Sequence, residues 1–365
     1  MSLLRPIAVV LGCAVLATGA VAQISLTPPA AQTPANKPAA KKKAPKHTPK
    51  PKAAAEKKPA TPKPAPSPKP APSPTPSPSP THEFEDPNVD LVYGAYQRGL
   101  YKTAFDLATT RANDAHDPKA MTMLGELYAN GLGIKRDYGK AAEWYQRASD
   151  AGDREAMFAL AMMRLAGRGG PMNKDEAVKL LASSAKLGNP KAAYNLALLY
   201  LDGQTLPQDL KRCAELLRMA ADAGSPEAQY ALATFYKEGT GVPKDLEKSV
   251  RLLQAASLAD NVDAEVEYAI ALYNGNGTPR NQPAAVALLR KAARQNSPIA
   301  QNRLARVLAT GQGAPQDKVE ALKWHTVAKT AGKGDPELDD MLMDMTPQDR
   351  AKAEEAARKW LGTGK

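Results

Sequence analysis

The chain is poor in cysteine, histidine and aromatic residues: two cysteines, four histidines and 5% aromatic side chains are spread over 365 residues. Cys13 falls in a leader segment described below, so Cys213 is expected to stand alone in the mature protein, which excludes an intrachain disulfide. It reads as a small buried apolar residue. No histidine belongs to a His-x-x-x-His set or to a set that includes cysteine, so zinc chemistry finds no ligands. His116 and His325 read as surface or capping residues. No serine or cysteine sits in a recognisable nucleophile setting. Asp335, Asp339, Asp340 and Asp344 cluster near the C-terminus, but their spacing lacks the calcium-loop pattern. The expectation is a chain with no catalytic residues, no metal and no cofactor.

Long hydrophobic runs are also missing. The longest apolar stretch lies in the first 22 residues and is shorter than the roughly 20 residues that a helical membrane span needs. Arg5 precedes an apolar core from Ile7 to Leu16, and Ala20-Val21-Ala22 offers a small-x-small cleavage site. This pattern predicts a Sec signal peptide over residues 1–22, cleaved after Ala22, and hence a periplasmic or secreted protein. An uncleaved anchor, or a lipoprotein at Val10-Leu11-Gly12-Cys13, are the competing readings.

The net charge of +11 is local. Residues 23–82 hold eleven lysines and one acid, Glu56, whereas residues 83–365 hold 37 basic and 37 acidic side chains. The remainder is therefore neutral, which argues against nucleic acid as a partner. Residues 23–84 are a Pro/Lys/Ala-rich linker with almost nothing apolar to bury, and such a composition predicts disorder with polyproline II character. It serves either as a spacer or as a grip on an anionic envelope polymer or surface.

From Asp117 onward the chain repeats every 36 residues without an insertion. Gly131, Gly167, Gly203, Gly239, Gly275 and Gly311 recur, and a second glycine follows two residues later in every copy except at Thr205. Ala120, Ala156, Ala192, Ala228, Ala264 and Ala300 form another series, followed four residues on by leucine or, once, Tyr268. Each copy reads as two helices. Helix A follows an N-cap residue such as Asp117 or Asn189, often with proline in its first turn. The Gly-x-Gly stops it, and Asp137 and its equivalents cap helix B. Cys213 stands where other copies place alanine or serine. One pair cannot bury its apolar face alone, but stacked pairs share a continuous core.

The pattern Ala-x-x-x-Leu-Gly-x-x-Tyr-x-x-Gly-x-Gly, then Asp-x-x-x-Ala-x-x-Trp and a closing Ala-Gly, resembles the Sel1-like repeat of the tetratricopeptide superfamily. Residues 117–152 carry it almost throughout, and Arg164, Leu272 and Leu308 depart from its tyrosine. The resemblance implies an all-α, right-handed α-α superhelical solenoid of six repeats over 117–332. Residues 85–116 are expected to form an N-terminal capping hairpin turning near Gly99. Residues 333–365 are expected to form C-terminal capping helices, with Thr346-Pro347 opening one of them and Trp360 sealing the last core layer.

By analogy with tetratricopeptide arrays, helix A lines a concave groove. The candidate groove residues are Phe158, Met162, Tyr194, Leu198, Tyr230, Val266 and Ile270. The competing reading is that these side chains complete packing within the array. The resemblance implies a periplasmic or secreted scaffold that takes a protein or peptide partner in the groove, organising or regulating in the cell envelope. An envelope organiser that holds peptidoglycan or lipopolysaccharide through the lysine tail is the alternative. A cell-wall hydrolase is a remote one, since acid/base and nucleophile sets are missing.

Overall fold

The computed structural model describes residues 90–362, and no strand occurs among them. The expected leader, the basic linker and residues 85–89 of the expected N-terminal cap lie outside the described residues. Two helices come first, α1 (Leu91–Gln97) and α2 (Tyr101–Asp114), joined through Gly99. Six helix pairs follow: α3 (Pro118–Asn130) with α4 (Tyr138–Asp150), α5 (Arg154–Ala166) with α6 (Lys174–Lys186), α7 (Pro190–Asp202) with α8 (Leu210–Asp222), α9 (Pro226–Glu238) with α10 (Leu246–Leu258), α11 (Val262–Asn274) with α12 (Gln282–Arg294), and α13 (Pro298–Thr310) with α14 (Lys318–Thr330). The chain closes with α15 (Pro336–Met341) and α16 (Pro347–Trp360). From α1 to α14 each helix packs chiefly on its neighbours in the chain, with A-to-A contacts such as α3 on α5 added to them, whereas α16 packs on α14 and α15 on α13. None of the described helices is long and apolar enough to cross a membrane.

Local chemistry sets the helix length. All twelve repeat helices span 13 residues, because the same start and stop signals recur at the same spacing. Asn189 shows the start most fully: its side chain accepts from Lys191 N and Ala192 N, at 2.9 and 3.2 Å. Helix A then ends on a left-handed glycine; Gly131 has φ of 69° and its N–H reaches the Leu127 carbonyl at 2.9 Å. The loop turns back at once, and the N–H of the helix-B cap returns to the end of helix A, as Asp137 N does to Tyr128 O at 3.0 Å. The same bond recurs in all six copies, from Asn173, Asp209, Asp245, Asn281 and Asp317.

The second glycine of the pair does something that periodicity did not predict. At Gly241, with φ of 65°, an added methyl would lie 2.2 Å from the Leu210 carbonyl oxygen. The loop thus passes directly over the first turn of the preceding helix B, and only glycine permits that approach. Gly-x-Gly is a helix stop followed by a contact between repeats.

The core alternates large and small residues. Leu124, Leu160, Leu196, Leu232 and Leu304 are buried, as are Ala141, Ala177, Cys213, Ser249, Ala285 and Ala321 across from them. The first repeat exchanges volumes. Tyr145 fills the position taken by Leu181, Leu217, Leu253 and Leu289 in later copies, and Gly125 replaces their alanine. A methyl on Gly125 would stand 2.6 Å from the Tyr145 ring, so the two substitutions compensate.

His325 corrects the sequence expectation. It occupies the sixth copy of that same core position and is fully buried, with Nε2 2.8 Å from Asp339 Oδ1. It is neither a surface nor a capping residue. His116, by contrast, caps α2 in the left-handed conformation with φ of 52°, in register with Gly152. Trp360 meets Trp324 edge-to-face at 5.1 Å but remains partly exposed.

Candidate functional site

The seven candidate residues all lie on A helices: Phe158 and Met162 on α5, Tyr194 and Leu198 on α7, Tyr230 on α9, and Val266 and Ile270 on α11. They fall in two register series one helical turn apart, which places them on one face of each helix. The structure treats them unequally. Val266 is 3% exposed and offers no surface to a guest, while the other six are half-buried. A small β-branched side chain at that position sinks into the array where the longer tyrosines reach its surface.

The first series sits at the seam between consecutive A helices. Thr122 Oγ1 donates to Asp153 Oδ1, the N-cap of the next A helix, at 3.0 Å. Asn302 Nδ2 donates to Asp335, the N-cap of α15, at 3.1 Å. The Tyr194 phenol feels the charge of Glu227, and that of Tyr230 the charges of Glu267 and Asp263, again from the following A helix. The apolar bodies of Phe158 and Tyr194 join one core cluster, and that of Tyr230 joins the next. The packing role and an accessible edge therefore coexist in the same side chains.

The phenol hydroxyls of Tyr194 and Tyr230 have no hydrogen-bond partner among the described residues, unlike Tyr145, which donates to Glu126 at 3.0 Å, and Tyr273, which meets Gln312. Burial, with help from the nearby carboxylates, pushes the Tyr230 phenol up to about 12, and burial beside Glu227 raises Tyr194. Both stay neutral and keep a donor and an acceptor for a partner.

Several titratable groups elsewhere serve the fold. Asp335 takes Arg306 Nε at 2.5 Å and Nη2 at 2.8 Å, and Asp339 takes His325 and Lys329, so half of the C-terminal acidic cluster is spent on structural pairs. Cys213 is buried, and burial pushes its thiol up to about 12, which suits packing rather than nucleophilic attack. Glu265 is a buried carboxylate that sequence reading missed. It is fully buried on α11, paired with the Lys291 ammonium, and its oxygens have no further hydrogen-bond partner. Its register mates Gln229 and Gln301 would have flagged the position as one that tolerates a buried polar side chain.

Comparison with known proteins gives the following. The sequence profile described as Sel1 repeat matches six consecutive segments, residues 118–153, 154–189, 190–225, 226–261, 262–297 and 298–333. Among solved structures, the chain is similar to a protective antigen of uropathogenic Escherichia coli strains that displays an SLR fold, at 25% identity and TM-score 0.64, covering 75% of this chain and 59% of the antigen. It therefore spans about three fifths of that antigen's length. It is also similar to a Sel1 repeat protein from Oxalobacter formigenes, at 26% identity and TM-score 0.58, over 66% of this chain and 98% of that one. No curated protein matched the chain.

Proposed function

The chain belongs to the Sel1 repeat family, and from that premise we propose that it is a protein-binding adaptor of the bacterial cell envelope. Proteins built from these repeats act as interaction scaffolds, and typically without catalysis. The finer reading adds a place and a surface. The place follows from the leader pattern of residues 1–22, which directs the chain to the periplasm or beyond. The surface is the helix-A face, with Phe158, Met162, Tyr194, Leu198, Tyr230 and Ile270 as contact residues. The observation that carries it is the pair of half-buried tyrosines whose hydroxyls are left without partners. Aromatic side chains fixed at the base and polar at the tip are the usual anchors of protein interfaces.

The test is crosslinking and affinity capture from intact bacterial envelopes with the parent chain and a Tyr194→Ala, Tyr230→Ala double variant. Loss of a captured partner with unchanged helical content supports the proposal. Equal capture by both proteins contradicts it.

A second reading rests on the eleven lysines of residues 23–82, which would hold an anionic envelope polymer with a salt-dependent grip. Removing residues 23–82 should then abolish co-sedimentation with cell walls. Unchanged co-sedimentation leaves that segment as a spacer.

A further inference from the structure

Charge in the fourth and fifth repeats is sorted by layer. The A helices α9 and α11 carry five carboxylates, Glu227, Glu238, Asp263, Glu265 and Glu267, against Lys237 alone. The B helices α10 and α12 carry five cations against Glu247 alone. The first repeat shows no such sorting: α3 and α4 each balance their charges. Neutrality of the repeat region as a whole conceals this polarised segment.

The acidic side faces solvent. Glu265 turns inward to Lys291, and Glu267 is engaged by Lys237 at 2.8 Å. Glu227, Glu238 and Asp263 are exposed and have no cationic partner among the described residues. Glu227 and Asp263 share one register position on consecutive A helices, three residues before Tyr230 and Val266, and the charge of Glu227 acts on Tyr194 while those of Glu267, Asp263 and Glu238 act on Tyr230. Leu198 and Ile270 lie on the same face, half-buried. The surface thus combines an apolar floor with a rim that is negative on α9 and α11, while α7 adds the exposed cation Lys191 at the register position of Glu227 and Asp263.

We propose that the helix-A face of α7, α9 and α11 takes an extended basic peptide segment of a partner protein. This rests on the reading of the helix-A face as the docking surface and adds the chemistry of its occupant. The argument is charge complementarity. Lysine and arginine side chains lay their methylene stems on apolar and aromatic surface while the charged head reaches a carboxylate. Tyr194, Leu198, Tyr230 and Ile270 supply the floor, and Glu227, Glu238 and Asp263 receive the cations. Exposed rim charges of this kind are individually weak, so the preference for a basic segment is carried by the three of them together. An acidic segment, or a nucleic acid strand, is repelled by the same rim.

The test uses the full chain and two fluorescein-labelled peptides of about twelve residues, repeats of Gly-Lys-Leu-Ala and of Gly-Ser-Leu-Ala, long enough to cross neighbouring repeats. Anisotropy titrations at about 50 and about 300 mM salt are compared for the parent, a Glu227→Gln, Glu238→Gln, Asp263→Asn variant and the Tyr194→Ala, Tyr230→Ala variant. The three acidic positions are exposed, so their neutral isosteres leave the fold intact, which circular dichroism verifies. The expected result is at least about tenfold tighter binding of the lysine peptide, lost in the charge-neutral variant and weakened by salt, with the serine peptide unaffected by the charge changes. Equal binding of both peptides, abolished only by the tyrosine changes, overturns the basic occupant while leaving the docking face standing. Binding of neither peptide, or binding indifferent to both variants, overturns the basic occupant and the docking face together.

Discussion

Glu265 is the residue whose placement asks most of its surroundings. A carboxylate fully removed from solvent relies on Lys291, which also serves Asp260 at 2.7 Å and is itself about half exposed. In the fourth and sixth repeats the same position holds glutamine, whose amide donates to a backbone carbonyl eight residues earlier: Gln229 to Ala221 at 3.2 Å and Gln301 to Ala293 at 3.1 Å. Glu265→Gln therefore supplies the donor its sisters use and removes a buried charge, while Lys291 keeps Asp260. Removing one partner of a buried pair is costly where the other charge is left buried, but Lys291 is about half exposed and keeps Asp260, so the expected outcome is a gain of about 1 kcal/mol, read as a rise in melting temperature of about 2–4 °C. A fall in melting temperature would contradict this account of the position. Gly241→Ala tests the opposite case. Its positive φ and the 2.2 Å approach to Leu210 O leave no room for a methyl, so a loss of about 3 kcal/mol or more is expected in denaturant unfolding.

At the scale of the helix, ends matter more than interiors, since the twelve repeat helices share one length and differ much in sequence. Helix B usually terminates in a left-handed glycine, but the fourth and fifth repeats use Asp260 and Asn296, with φ of 60° and 63°. Asp260 is compensated by Lys291, whereas no such pair holds Asn296. Asn296→Gly should stabilise by about 0.5–1 kcal/mol, measurable as a higher denaturation midpoint at unchanged slope. The final helices depend on ion pairing instead. Burial works to raise Asp335, but hydrogen bonds from Arg306 and Asn302 and the Arg306 charge hold it below the ordinary aspartate range. A carboxylate depressed in the folded state stabilises above its unfolded value and loses that contribution as pH falls through the folded one. Acid should accordingly loosen α15 and α16 before the repeats. Trp360 fluorescence would report this, because its ring rests on Trp324. Arg306→Met should weaken the same contact at neutral pH by about 2 kcal/mol; a cap that melts together with the repeats in both cases would count against it.

For the whole molecule the repeat period is the unit of stability. Excising residues 226–261 joins Ser225 to Val262 in register, so the shortened chain should keep its helicity per residue and lose only some melting temperature. Excising 244–261, half a period, pairs helices of the wrong type and should abolish cooperative unfolding in calorimetry. The architecture was legible because glycine, proline and cap residues punctuate all six copies at one spacing, and Cys213 could be assigned to packing from its alanine and serine mates. The site was less so. Helix-A positions could be named, yet the sequence did not tell that Val266 sinks while Tyr194 and Tyr230 reach the surface, because that depends on side-chain length across the seam. His325 escaped because a histidine in a leucine position needs Asp339 to make sense of it, and that partner lies beyond the repeat. The layered charge of the fourth and fifth repeats vanished in a sum over the chain and shows only when helices are counted by layer.

The claim on which function turns is that partners engage the A helices and not the B helices. Site-specific photocrosslinking addresses it directly, with a benzophenone amino acid placed at Leu198 or Thr234 in one set and at Lys211 or Arg251 in the other, and irradiation in intact cells. The account predicts covalent adducts of a discrete partner from the first set alone; adducts from the second set in equal or greater yield would contradict it.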